Sequence, residues 1–172
     1  PGHRHDARGH QHLAAGLLRG TFQVSEKMQG SSGLFRAKDE THSSEFWRDE
    51  RGRYTIGRQY LFPIVRDLPV FPEEAVEPGR SWSAPGEEVH DLREPFGILQ
   101  PLSVPLDVFY NYTGRDVRDG VDLAVLKIKY SATASLRTLR SPTGLAPVRI
   151  MGTADQTYWF DPALGRVHSY ED

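Results

Sequence analysis

The chain contains no cysteine. That absence excludes disulfides, thiolate zinc sites, iron–sulfur clusters and a cysteine nucleophile together. It sets aside disulfide-rich secreted scaffolds without fixing a compartment. No run approaches the ~20 apolar residues of a membrane-spanning helix, and no apolar h-region follows a basic start. An export signal, for an exported protein, is expected upstream of Pro1. Charge of one sign is also missing: 21 Lys+Arg stand against 23 Asp+Glu, a net charge of −2. Broad attraction to nucleic acid or an anionic membrane therefore has no basis in composition. Helical periodicity is scarce too. The nearest candidate, "QHLAAGLLRG", is weakened by its glycines, so at most one or two short helices are expected.

What is present is enough for one core: 172 residues, 38% of them hydrophobic. Residues 1–20 read as a disordered or poorly packed segment, and residues 21–172 as a single β-domain. The segment carries His3, His5, His10 and His12, a metal-binding composition with nothing nearby to fix ligand geometry.

From Thr21 the hydrophobic pattern has period two, the mark of strands with one buried face. In "TFQVSEKM", Phe22, Val24 and Met28 share a side. "SGLFRAKDETHSSEFW" is polar and only weakly alternating, as an edge strand would be. Asp49 to Gly52 is a turn, followed by Tyr54 and Ile56 on one side. Asp119-Gly120 supplies the positive φ of a tight hairpin between two long alternating runs. The second run changes phase after Val125, which predicts a β-bulge there or a stretch buried on both faces. "DPALG", with Pro162 and Gly165, joins a second hairpin.

Between residues 63 and 105 lie eight of the twelve prolines. Proline lacks the amide donor that central strands need, so this segment predicts edge strands, turns and an extended belt. Val70, Phe71, Val76 and Trp82 are its expected apolar anchors. The fold class is therefore mainly β: an antiparallel sandwich or a strongly curved half-barrel crossed by a proline-rich belt.

Chemistry has one concentrated candidate, "GEEVHD", which sets Glu87, Glu88, His90 and Asp91 side by side. A metal centre would use Glu88, His90 and Asp91, but zinc ligands at i and i+4 need a helix, and Pro85-Gly86 and Pro95 flank this stretch. In a strand, Glu88 and His90 would share one side and Glu87 and Asp91 the other. The same residues would make a carboxylate–histidine pair, although Ser81 and Ser83 lack the turn that presents a nucleophile. Tyr110, Tyr112, Tyr158 and Trp159 offer a stacking platform, weighed against ordinary cross-strand packing. No motif calls for a cofactor.

The ordered string "GRYTIGRQYLFPIVRDLPVFPEEAVEPGRSWSAPGEEVHDLREPFGI", with "GTADQTYWFDPALGRVHSYED", resembles the β-rich region that precedes the OmpA-like domain in certain envelope proteins of spirochaetes. The resemblance covers roughly residues 50–172. It implies an exported, periplasmic or outer-membrane-associated protein that continues downstream into an OmpA-like domain, with that domain or another envelope component as partner. It carries over no catalytic motif. The expected function is a non-enzymatic scaffold or binding module. The alternatives are a carrier or sensor of a lipid-like ligand in the concave face of the sheet, and a metal-dependent hydrolase centred on Glu88, His90 and Asp91.

Overall fold

The structure, a computed structural model, describes residues 6–7, 11–13, 17–25, 28–29, 35–36, 41–94, 96–145 and 148–172. Among these, every regular element is a strand. The N-terminal part holds β1 (Asp6–Ala7), β2 (Gln11–Leu13), β3 (Leu17–Ser25), β4 (Met28–Gln29), β5 (Phe35–Arg36), β6 (Thr41–Arg48) and β7 (Tyr54–Ile56). The rest holds β8 (Val65–Arg66), β9 (Ser81–Leu92), β10 (Ile98–Arg118), β11 (Val121–Ser135), β12 (Arg149–Asp161) and β13 (Arg166–Glu171). A six-stranded antiparallel sheet in the order β13-β12-β11-β10-β9-β8 curls into a half-barrel. A smaller sheet runs β1-β3-β6-β7, with β2 also on β3.

β3 begins at Leu17, ahead of the alternation that becomes readable at Thr21. Gly20 allows this, because a β-carbon at that position would collide with the ring of Phe46 on β6. His3, His5 and His10 lie outside the described residues.

The hairpin turn at Asp119-Gly120 has positive φ at both positions, 53° and 75°, as a two-residue loop between twisted strands requires. The bulge expected near Val125 is there, but the additional residue is Thr113 on the facing strand, between the pairs Tyr112–Leu126 and Gly114–Val125. Thr113 Oγ donates to the Val125 carbonyl across that slip. The second hairpin is held by Asp161, whose carboxylate accepts the amides of Ala163 and Leu164.

Prolines enter the long strands only where a neighbour is missing. Pro105 pairs with Glu87 on β9 and Pro101 falls in the register shift between Ile98 and Leu102, and both precede the pairing of β10 with β11 at Leu106. Pro85 lies on β9, which β8 covers only at Glu87 and Glu88. The absent amides therefore fall on open edges.

The core lies on the concave face. Val104, Leu106, Val108, Tyr110, Leu126, Ile128 and Ala132 are all buried there. Pro69 to Arg80 crosses this face as the expected belt. Val70 is buried, and Phe71, Val76 and Trp82 pack against the core. Trp82 stacks on Tyr110 at 5.2 Å and donates its indole N–H to the Val70 carbonyl at 2.8 Å. Phe71 reaches Phe160 on β12, with ring centroids 4.7 Å apart. The Tyr110 hydroxyl accepts from the Val70 amide, and burial pushes its phenol well above the usual range. Phe71 is also tied outward to Arg51: its amide donates to the Arg51 backbone carbonyl, and its carbonyl accepts from the Arg51 side-chain Nε.

Phe71→Ala is expected to lower the free energy of unfolding by roughly 2–4 kcal/mol, in line with deletion of a packed aromatic ring. Urea denaturation checks this, and Phe71→Leu is expected to cost less than half as much.

Candidate functional site

The polar knot at Glu87–Asp91 is divided by the strand that carries it. β9 is in continuous register with β10 from Trp82 to His90, so the face that holds Trp82 and Ala84 also holds Glu88 and His90. Glu88 stands opposite Val104 and His90 opposite Leu102 on the concave side. Glu87 and Asp91 project the other way.

Glu87 has a structural partner. Arg66 has only 4% of its side chain exposed, and its guanidinium meets Glu87 Oε1 at 3.1 Å. The same guanidinium donates to the carbonyls of Tyr60 at 2.6 Å and Pro63 at 3.2 Å. Ser103 Oγ completes the set by donating to Glu87 at 2.9 Å. Burial lowers the Arg66 pKa and Glu87 opposes that shift, so this is a paired, desolvated charge rather than a free one. Next to it Asp67 adopts a positive φ of 57° and accepts the Tyr54 amide at 2.6 Å. Desolvation pushes the Asp67 carboxyl above its usual range, and Glu87 and Asp49 add to the rise.

Asp91 forms a fork with Arg93: guanidinium nitrogens lie 2.9 and 2.6 Å from its carboxylate, and its Oδ1 also accepts the Arg93 amide at 3.0 Å. This pair lines a polar groove of about 240 Å³ with His42, Ser43, Gln59 and Leu99. The groove is smaller than the several hundred Å³ usual for small-molecule sites. Ser44 at its edge donates its hydroxyl to the Phe62 carbonyl at 2.6 Å, which ties β6 to the start of the belt. A proton held on a backbone carbonyl is not being drawn off by a base. Ser81 lies on the outer face of β9, where Asn111 donates to its hydroxyl.

On the concave side, His90 Nε2 lies 3.8 Å from Glu88 Oε2, and both side chains are about a quarter exposed, 26% and 24%. The separation exceeds a hydrogen bond. Among the described residues no group of three or more His, Asp and Glu side chains is arranged to hold a metal ion. Glu88 and His90 thus share a face, while Asp91 stands on the opposite one with its carboxylate on Arg93.

The chain matches no family model, no curated protein and no solved structure. The likeness to the region before an OmpA-like domain thus rests on the motif string alone.

The four aromatics weighed as a stacking platform form no single platform; the cross-strand packing set against it accounts for two of them. Tyr110 and Tyr112 are buried in the core. Trp159 lies on the convex side under Arg118, whose guanidinium carbon is 3.2 Å from the ring centroid, and it donates to Asp116 at 3.0 Å. Tyr158 shares the concave side with Tyr110 and Tyr112 but lies beside Tyr170, with ring centroids 5.5 Å apart. Tyr130, Gln156 and Tyr170 share that face, and sequence reading had missed them. Only the strand pairing makes them neighbours.

Glu87→Gln is expected to cost about 1–3 kcal/mol, less than the loss of a partner in a fully buried pair because Glu87 keeps contact with solvent. Thermal or chemical unfolding checks it. For Asp67 the folded pKa lies above the unfolded one, so the native state holds its proton more tightly. Stability therefore falls as pH rises from the ordinary carboxyl range through the raised value, and the loss persists at neutral pH. Asp67→Asn keeps the acceptor and tolerates the positive φ; it is expected to flatten this dependence and to raise stability at pH 7, read from urea midpoints across the acid range.

Proposed function

We propose that this chain is a non-enzymatic scaffold or binding module of the cell envelope that positions an OmpA-like domain or another envelope component. The observation that carries the reading is the filled concave face. Belt residues Val70 and Phe71 lie on Trp82, Tyr110 and Phe160, in the space where an apolar cargo would sit. A carrier of lipid-like ligands needs a continuous apolar cavity of several hundred Å³. The larger groove, about 470 Å³, lies instead on the convex side, shallow and rimmed by Asp107, Lys129 and Asp155. The division of Glu88 and His90 from Asp91 speaks against a shared hydrolytic metal centre. The envelope assignment draws on the ordered motif string from "GRYTIGRQYLF" to "VHDLREPFGI".

Two measurements test this. In cells that produce the native protein, an antibody to this chain is expected to detect it in the envelope fraction; a wholly cytosolic signal would overturn the placement. Thermal unfolding with added zinc, calcium or a long-chain fatty acid is expected to show no saturable rise. A metal-dependent rise abolished by His90→Ala would establish the hydrolase reading in its place, and a fatty-acid-dependent rise the carrier reading.

A further inference from the structure

β12 is longer than the strand that covers its outer edge. It runs from Arg149 to Asp161, but β13 pairs with it only from Thr157 to Asp161. From Arg149 to Asp155 no strand among the described residues lies on that side. The direction of the free backbone groups follows from the ladder on the other side. Leu136 donates its amide to the carbonyl of Val148 at 2.9 Å, one step beyond the opposed pair Ser135–Arg149. Opposed pairs in an antiparallel ladder alternate between exchanging both hydrogen bonds and exchanging none. Val148, Ile150, Gly152 and Ala154 are therefore bonded to β11. Arg149, Met151, Thr153 and Asp155 point their amides and carbonyls at the open edge, and all four residues are exposed.

An edge of this kind is a template for another strand, and proline is one device that blunts it. Pro85, Pro101 and Pro105 stand on the open stretches of β9 and β10, whereas the open stretch of β12 contains no proline. Its charges sit at its two ends, Arg149 and Asp155. When the stretch pairs antiparallel with itself about Gly152, Arg149 falls opposite Asp155, Ile150 opposite Ala154 and Met151 opposite Thr153. Every outward residue then meets another outward residue, and both charges meet their opposites. A slip of two residues one way sets Arg149 opposite Thr153 and leaves the charges unmatched. The same slip the other way sets it opposite Thr157, which already pairs with Glu171.

We propose that this chain forms a two-fold dimer in which the open edge of β12 pairs with the same edge of a second copy, antiparallel about Gly152, joining the two large sheets into one. Gly152 suits the axis, with nothing within 4 Å of where a β-carbon would stand. On the convex side Asp155 Oδ2 is held by Lys129 at 2.8 Å, and Oδ1 is available to Arg149 of the second copy. Thr153 and Asp155 also line the shallow convex groove with Phe109. Met151 of the second copy, opposite Thr153, stands at the rim of that groove; this methionine is 60% exposed in the single chain. Backbone hydrogen bonds supply the attraction and the charges fix the register. The dimer goes beyond the scaffold reading and does not depend on it.

The test is sedimentation equilibrium of the folded chain from about 1 μM to about 1 mM. A monomer–dimer equilibrium is expected, weakened at least roughly tenfold in Arg149→Asp and in Asp155→Arg, each of which opposes like charges at two places. An equimolar mixture of these two variants is expected to associate like the wild type, because each pair is then again of opposite sign. Thr153→Pro deletes an outward amide and leaves the ladder to β11 intact, so it is expected to weaken the dimer equally without a change of charge. Circular dichroism and thermal unfolding verify that each variant folds; should Asp155→Arg fail to fold, Arg149→Asp and Thr153→Pro decide the outcome. A wild-type chain that stays monomeric throughout would overturn the proposal, as would a dimer that the folded variants leave unchanged. Failure of the mixed variants to associate would overturn the register about Gly152.

Discussion

A sheet that curls without closing has an apolar concave face to cover and two edges to protect, and in this protein one stretch of chain does most of the covering. The belt from Pro69 to Arg80 lays Val70 and Phe71 across the sheet, so that Phe71 touches Phe160 on β12 while Trp82 on β9 stacks on Tyr110. Half-closure is thereby completed by side chains rather than by strand pairing. Prolines suit this task because their fixed φ limits the freedom lost on folding and they bring no amide that would need a partner over an apolar surface.

That constraint accounts for the placement of the buried charge. The chain that leads into the belt must turn, and its carbonyls at Tyr60 and Pro63 need donors; Arg66 supplies both from a single guanidinium. A guanidinium buried so far from water requires an anion, and Glu87 stands on the adjoining strand to provide one. The first member of the polar knot is thus explained by architecture, and Asp91, forked to Arg93 at the end of β9, by local turn geometry. Glu88 and His90 receive no such explanation from the fold.

Much of the architecture was legible in the residues. Asp119-Gly120 and Pro162 with Gly165 marked the hairpins because positive φ has few residue solutions; of the apolar residues between prolines, Phe71 and Val76 pack against the core from the belt, while Trp82 does so from β9. The phase change after Val125 was legible as a slip, but not which strand held the additional residue, since alternation on one strand records only the mismatch. The lengths of β9 and β10 were hidden by Pro85, Pro101 and Pro105, whose tolerance depends on which neighbour is absent. The tyrosine cluster was hidden for a related reason. Tyr130, Tyr158 and Tyr170 belong to three strands, and no pattern within one strand shows that they share a face.

The remaining tension in the core lies at Gln156. Its neighbours across the sheet are Ile128 and then Tyr110, both fully buried, so packing alone selects an aliphatic residue there. An unpaired buried carbonyl oxygen subtracts about 1–3 kcal/mol from a total stability of roughly 5–15 kcal/mol, which is a large share for a residue that no other contact requires. Arg66 shows how this chain treats a buried polar group that serves the fold: every donor direction described finds a carbonyl or carboxylate. Gln156 Oε1 and His90 Nε2 depart from that rule on the concave face, and Ser169 Oγ departs from it elsewhere in the sheet. Departures from local consistency of this kind are expected at functional or strained sites, and the fold supplies no packing reason for this one.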